Sequence, residues 1–135
     1  MLKLDLSISA DSRYSFDRKR VKAALSKVLS EQGVDGKVLI SFSVVGERKI
    51  RELEQKYFNR DEVTDVLSFP LDEAMPAGRQ GEEMPADFDG LNLGDIVVCY
   101  PQAKRQAMQW NRLVDEEIEF LACHGLLHLL GIHHD

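Results

Sequence analysis

The chain has 135 residues, 44% of them hydrophobic and 30% charged, with a formal net charge of -6. This length and balance describe a single globular domain spanning residues 1–135 and argue against wholesale disorder. No apolar run approaches the roughly 18 residues a membrane-spanning helix needs, and an acidic chain is a poor nonspecific binder of duplex nucleic acid.

In chain order, Leu2, Leu4, Leu6 and Ile8 alternate with polar residues, the period-two pattern of a half-buried strand. This start has no continuous apolar stretch of a secretory signal, and Cys99 and Cys123 sit inside apolar segments, so the expected compartment is the cytoplasm. Asp17 reads as the N-cap of a helix to about Gln32, with Val21, Ala24, Leu25, Val28 and Leu29 at helical spacing and Gly33 as its stop. Val38 to Val45 is rich in β-branched residues and reads as a second strand. After Gly46 a helical pattern runs from Glu47 to about Phe58 through Ile50, Leu53 and Tyr57. Val63 to Phe69, closed by Pro70, is a third strand, and Leu93 to Tyr100, closed by Pro101, a fourth. The acidic, Gly- and Pro-rich stretch Leu71 to Asn92 between them reads as a mobile flap. A helix then runs from Pro101 to about Gln109 and another from Asp115 to Leu130, with Gly131 in the place of a C-cap glycine. The class is α+β, or mixed-sheet α/β: a sheet of about four strands flanked by helices.

Charge and histidine are unevenly distributed. Residues 1–60 hold 13 Lys and Arg against 8 Asp and Glu, whereas residues 61–135 hold 4 against 15. The basic groups Arg18, Lys19, Arg20, Lys22 and Lys27, and Arg48, Lys49 and Arg51, read first as solvated helix faces. All four histidines, His124, His128, His133 and His134, fall within the last twelve residues. Two histidines four apart on a helix lie one turn apart on one face, so both imidazoles reach one ion. The spacing H-x-x-x-H-x-x-G-x-x-H is met by His124, His128, Gly131 and His134, with His133 and Asp135 as other candidates for the third ligand. It is the metzincin ligand spacing, except that Gly125 stands where the catalytic glutamate belongs, which counts against peptide hydrolysis. Three imidazoles leave a tetrahedral zinc one open position, the arrangement of a catalytic rather than a structural site. Cys123, beside the first of these histidines, reads as a small buried apolar residue rather than a ligand.

Three blocks carry a family resemblance: His124-Gly125, Leu127-His128-Leu129, Gly131 and His134 in the last motif; Thr64-Asp65-Val66-Leu67-Ser68-Phe69-Pro70; and Leu93-Gly94-Asp95-Ile96. In residues, order and spacing the chain resembles the YbeY, or rRNA maturation factor, family over nearly its whole length. The resemblance implies a metal-dependent endoribonuclease that prefers single strands and acts in maturation of the 3′ end of small-subunit ribosomal RNA and in ribosome quality control. It implies one zinc per chain, held by His124, His128 and His134. The partners it implies are the small ribosomal subunit, one of its proteins and an Era-type GTPase. The chain departs from the family pattern in three places. Ile132 and His133 replace an aromatic and an aspartate, Phe58 follows Tyr57 where the family carries an arginine, and only Asp135 follows the third histidine. Family members usually continue for a further stretch beyond the third histidine.

A zinc-bound water, its pKa lowered toward about 7, is a nucleophile at neutral pH. Arg60 is then the candidate to stabilise charge developing on phosphate, and Asp95 a candidate base alongside the metal hydroxide and the RNA 2′-hydroxyl. His124 is the histidine expected to be indispensable to catalysis. Bland readings stand beside these: Thr64 to Phe69 is apolar enough for a plain core strand, with Asp65, Ser68 and Asp95 satisfying turns and strand ends. Two other functions remain open, a non-catalytic assembly factor whose zinc only fixes the fold and a zincin-type peptidase or amidohydrolase.

Overall fold

The computed structural model describes residues 1–71 and 90–132. Its elements are β1 (Lys3–Ala10), α1 (Arg18–Glu31), β2 (Lys37–Val45), α2 (Glu47–Phe58), β3 (Val66–Pro70), β4 (Leu91–Cys99), α3 (Tyr100–Gln109) and α4 (Val114–Leu129). The expected α+β class holds, with four strands and four helices among the described residues.

The strands lie in the order β1-β2-β4-β3, so β4 inserts between β2 and β3. β1 runs parallel to β2 and β2 parallel to β4, whereas β3 is antiparallel to β4. A register shift between Leu39 and Ile40 leaves Leu93 as an extra residue on β4. Beyond that bulge the alternation is regular. Ile96 and Val98 share a face with Phe42 and Val44 of β2 and pack in the larger core with Leu25 and Leu29 of α1 and Ile118, Leu121 and Leu126 of α4. Val97 and Cys99 point the other way and join Leu67 and Phe69 of β3 with Ile50 and Leu53 of α2 in a smaller core.

Local signals explain most helix ends. Asp17 caps α1 by accepting a hydrogen bond from the Arg20 N–H. At the end of α4, Gly131 has φ +81°, its N–H donates to the His128 carbonyl, and the Ile132 N–H donates back to Leu127, the two bonds of a Schellman turn.

Several boundaries differ from the sequence reading. The third strand begins at Val66 rather than Val63; just before it, the Asp65 carboxylate accepts from Gln106 Nε2 of α3 at 3.1 Å while its carbonyl accepts the Cys99 N–H of β4 at 2.8 Å. Pro70 ends that strand from within, as an edge strand permits. Pro101 does not separate β4 from α3. It sits in the first turn of α3, where its missing N–H costs nothing, so the helix starts at Tyr100. β4 likewise starts at Leu91, two residues before its expected start. Most of the expected flap lies outside the described residues, as do His133, His134 and Asp135.

Candidate active site along the histidine helix

α4 brings the first two histidines together. It buries Ile118, Leu121, Ala122, Gly125, Leu126 and Leu129 against the sheet, which turns His124 and His128 to the half-buried margin of the helix. Their ring centroids are 4.4 Å apart. Gly125, between them, faces the sheet so closely that a Cβ there would stand 2.8 Å from Ile96 Cγ2 and 3.1 Å from Ser68 Oγ. The glycine is therefore the contact that lets α4 lie on β3 and β4, and a glutamate has no room in its place.

The strand blocks hold this helix. Ser68 of β3 donates its hydroxyl hydrogen bond to the Gly125 carbonyl at 3.0 Å. Gly94 of β4 has φ +125°, and a Cβ there would lie 2.1 Å from the Phe69 carbonyl oxygen, so only glycine lets β3 close against β4.

Beside His128 opens a cavity of about 360 Å³ lined by Glu54, Phe58, Arg60, Thr64, Ser68 and His128, among others. Arg60 reaches it from the turn after α2, where Asn59 takes the left-handed conformation and the Arg60 N–H donates to the Glu54 carbonyl. The guanidinium lies 6.0 Å from the centre of the Phe58 ring and 3.5 Å from the Glu62 carboxylate. Phe58 itself stacks on Phe69 of β3. Arg60 and His128, far apart in sequence, thus share one cavity.

Asp95 does not join them. It is 2% exposed and sits opposite Ser41 and Phe69 in the ladder, on the face that carries Val97, Cys99 and α2. α4, which carries His128, packs on the other face, and Asp95 is not among the described residues that line the cavity. Of the proposed third ligands, His134 lies outside the described residues, and among the described residues no three His, Cys, Asp or Glu side chains gather around one ion position. The donors that are described do fit zinc: two imidazoles one helical turn apart, ahead of a glycine turn that folds the chain back.

Glu54 was not singled out from the sequence, yet it is only 2% exposed on the wall of this cavity. Burial pushes its carboxyl above the usual range, the neighbouring Glu62 carboxylate adds to the rise, and the Arg60 charge opposes it. The available signal was its place at i+4 from Ile50 on the apolar stripe of α2. Cys123 is half-buried rather than fully buried, packed against the larger core, and its thiol is pushed up to about 11 chiefly by burial.

A family model for endoribonuclease YbeY matches residues 7–135. The chain belongs to the YbeY family. Among curated YbeY relatives, the endoribonuclease YbeY of Dehalococcoides mccartyi is 38% identical over 116 residues, covering 84% of this chain and 67% of the relative. That of Staphylococcus carnosus is 36% identical over 120 residues, covering 86% of this chain and 72% of the relative. Among solved structures, TM1509 from Thermotoga maritima, determined in solution, aligns with a TM-score of 0.57 at 27% identity over 97% of this chain and 75% of that one. The YbeY assignment accounts for the three sequence blocks together, since the structure packs the strand blocks directly against the histidine helix. No described helix is long and apolar enough to cross a membrane.

Proposed function

We propose that this protein is a zinc-dependent endoribonuclease that cuts single-stranded RNA, acting on the 3′ end of small-subunit ribosomal RNA and in late-stage ribosome quality control in the cytoplasm. The observation that carries the reading is the cavity shared by His128 and Arg60, with His124 one turn away on the same helix margin. Family membership supports the RNA substrate. The proposed partners are the small ribosomal subunit, one of its proteins and an Era-type GTPase.

His124, His128 and His134 would hold the zinc, one per chain. Bound there, zinc supplies a Lewis acid for a phosphoryl oxygen and a nucleophile at neutral pH. The chain's own residues do the rest. Arg60 places a permanent positive charge at the cavity, where it binds a backbone phosphate and stabilises charge developing on it. Its position is set by the Phe58 ring below it and the Glu62 carboxylate beside it. Ser68 fixes the height of α4 over β3, and with it the reach of His128 toward the cavity.

The peptidase reading is disfavoured by the 2.8 Å approach of Ile96 to a Cβ at position 125, which leaves no space for the glutamate base of that class. The experiment that tests the proposal is cleavage of single-stranded ribosomal RNA against the same sequence in duplex. We expect single strands to be cut, the cut to disappear on chelation and return with zinc, and His124→Ala to abolish it. Equal cleavage by wild type and His124→Ala would mark a contaminating nuclease and leave the non-catalytic assembly factor in its place.

A further inference from the structure

Phe120 is 54% exposed, although it lies on the helix whose neighbouring turns build the core. A single exposed phenylalanine needs no explanation by itself. Its setting does. It precedes His124 by four residues and His128 by eight, so the three rings form one row along α4. The Phe120 and His124 rings are within 23° of parallel with centroids 6.2 Å apart. Arg112 brings its guanidinium to 5.8 Å from the centre of the Phe120 ring. That arginine is held in place: its Nη1 donates to the buried carboxylate of Glu117 at 3.1 Å, and its backbone N–H donates to the Ala107 carbonyl.

The same pairing recurs at the other end of the row. Arg60 lies over Phe58, itself exposed, at the cavity that His128 lines. An arginine-covered phenylalanine therefore stands on each side of the two histidines. An aromatic face joined to a guanidinium is the means by which proteins hold single-stranded nucleic acid, the ring stacking a base and the cation meeting the backbone. At 1.5 Å per residue the eight positions from Phe120 to His128 span about 12 Å, the scale of a short stretch of single strand.

We propose that Phe120, together with Arg112, is a base-stacking platform that anchors single-stranded RNA on the far side of the histidines from Arg60. The proposal rests on the ribonuclease reading and adds to it a second point of substrate contact. It also supplies a reason for strand preference, because a base paired inside a duplex has no free face to offer the ring.

The test is binding of a fluorescently labelled single-stranded oligoribonucleotide to the full-length chain, read by anisotropy before measurable cleavage, with the zinc content of each variant recorded. We expect Phe120→Ala to weaken binding about tenfold, within the range for one stacked base, and Phe120→Tyr to retain it. A series of oligomers, each with one base replaced by an abasic ribose, separates stacking from support of His124. One abasic position should weaken wild-type binding about tenfold and leave Phe120→Ala unaffected, with zinc content equal in both. Wild-type affinity in Phe120→Ala, or abasic penalties that persist in it at every position, would overturn the platform while leaving the ribonuclease reading intact. Failure of the wild type itself to bind the oligomer would overturn both.

Discussion

Ser68 and Gly125 lie 57 positions apart in the chain, and the hydroxyl of the first donates to the carbonyl of the second at 3.0 Å. Around this bond the edge strand and the histidine helix approach too closely for a Cβ, because position 125 has no side chain. The position that a metzincin uses for its base is here a packing contact.

That contact sets the first prediction. Gly125→Ala should destabilise the protein by about 1–3 kcal/mol through overpacking against Ile96, offset by at most about 1 kcal/mol of improved helix propensity. Ser68→Ala, which deletes one hydrogen bond without adding volume, should cost about 1 kcal/mol. Urea denaturation checks both, and a Gly125→Ala variant more stable than wild type would contradict the close packing.

The metal site predicts a split among the histidines. Protein purified without added metal should carry one zinc per chain by elemental analysis. His128→Ala should lose it, His134→Ala should bind it more weakly, and His133→Ala should keep it. Stoichiometric zinc in His128→Ala would show that the ligand set is wrong.

Arg60 sits over Phe58 at the cavity rather than at the position where the family carries its arginine. If it meets a phosphate, Arg60→Ala should weaken RNA binding and lower the slope of log affinity against log salt by about 0.7, the value for one phosphate contact on a single strand. An unchanged slope with unchanged cleavage would reduce Arg60 to a surface residue paired with Glu62.

Glu54 makes stability depend on pH in a direction opposite to that of an ion-paired carboxylate. Burial, reinforced by Glu62, raises its folded pKa above the ordinary 4.5, so the folded state holds the proton more tightly than the unfolded chain. Below the ordinary value both states are protonated and the shift has no effect. As pH rises from there through the folded pKa, stability is lost, and it stays lost at neutrality. Glu54→Gln removes the charge and should therefore raise the melting temperature at pH 7, with the gain over wild type shrinking on acidification below the ordinary carboxylate range. A gain of equal size at every pH would mean that packing, and not ionisation, is responsible.

Much of this molecule was legible from local pattern. Alternation in Leu2 to Ile8, the Asp17 cap, the stripe of Ile118, Ala122, Gly125 and Leu129, and the turn at Gly131 each depend on residues within a few positions of one another, and each stands in the structure as read. The pairing of His124 with His128 follows in the same way, since one helical turn determines it. What sequence could not supply was which strand neighbours which. Insertion of β4 between β2 and β3 put Asp95 on the face of α2, away from the histidines, and made β3 the edge beside which Arg60 and His128 meet. The bulge at Leu93 belongs to the same class of fact, because a shift of one residue in register exchanges the two faces of a strand. Gly125 acquires its meaning from Ile96 and Ser68, which pack against it from tens of residues away along the chain. Local interactions choose helix or strand; only burial against distant elements decides which side chains face one another across a site.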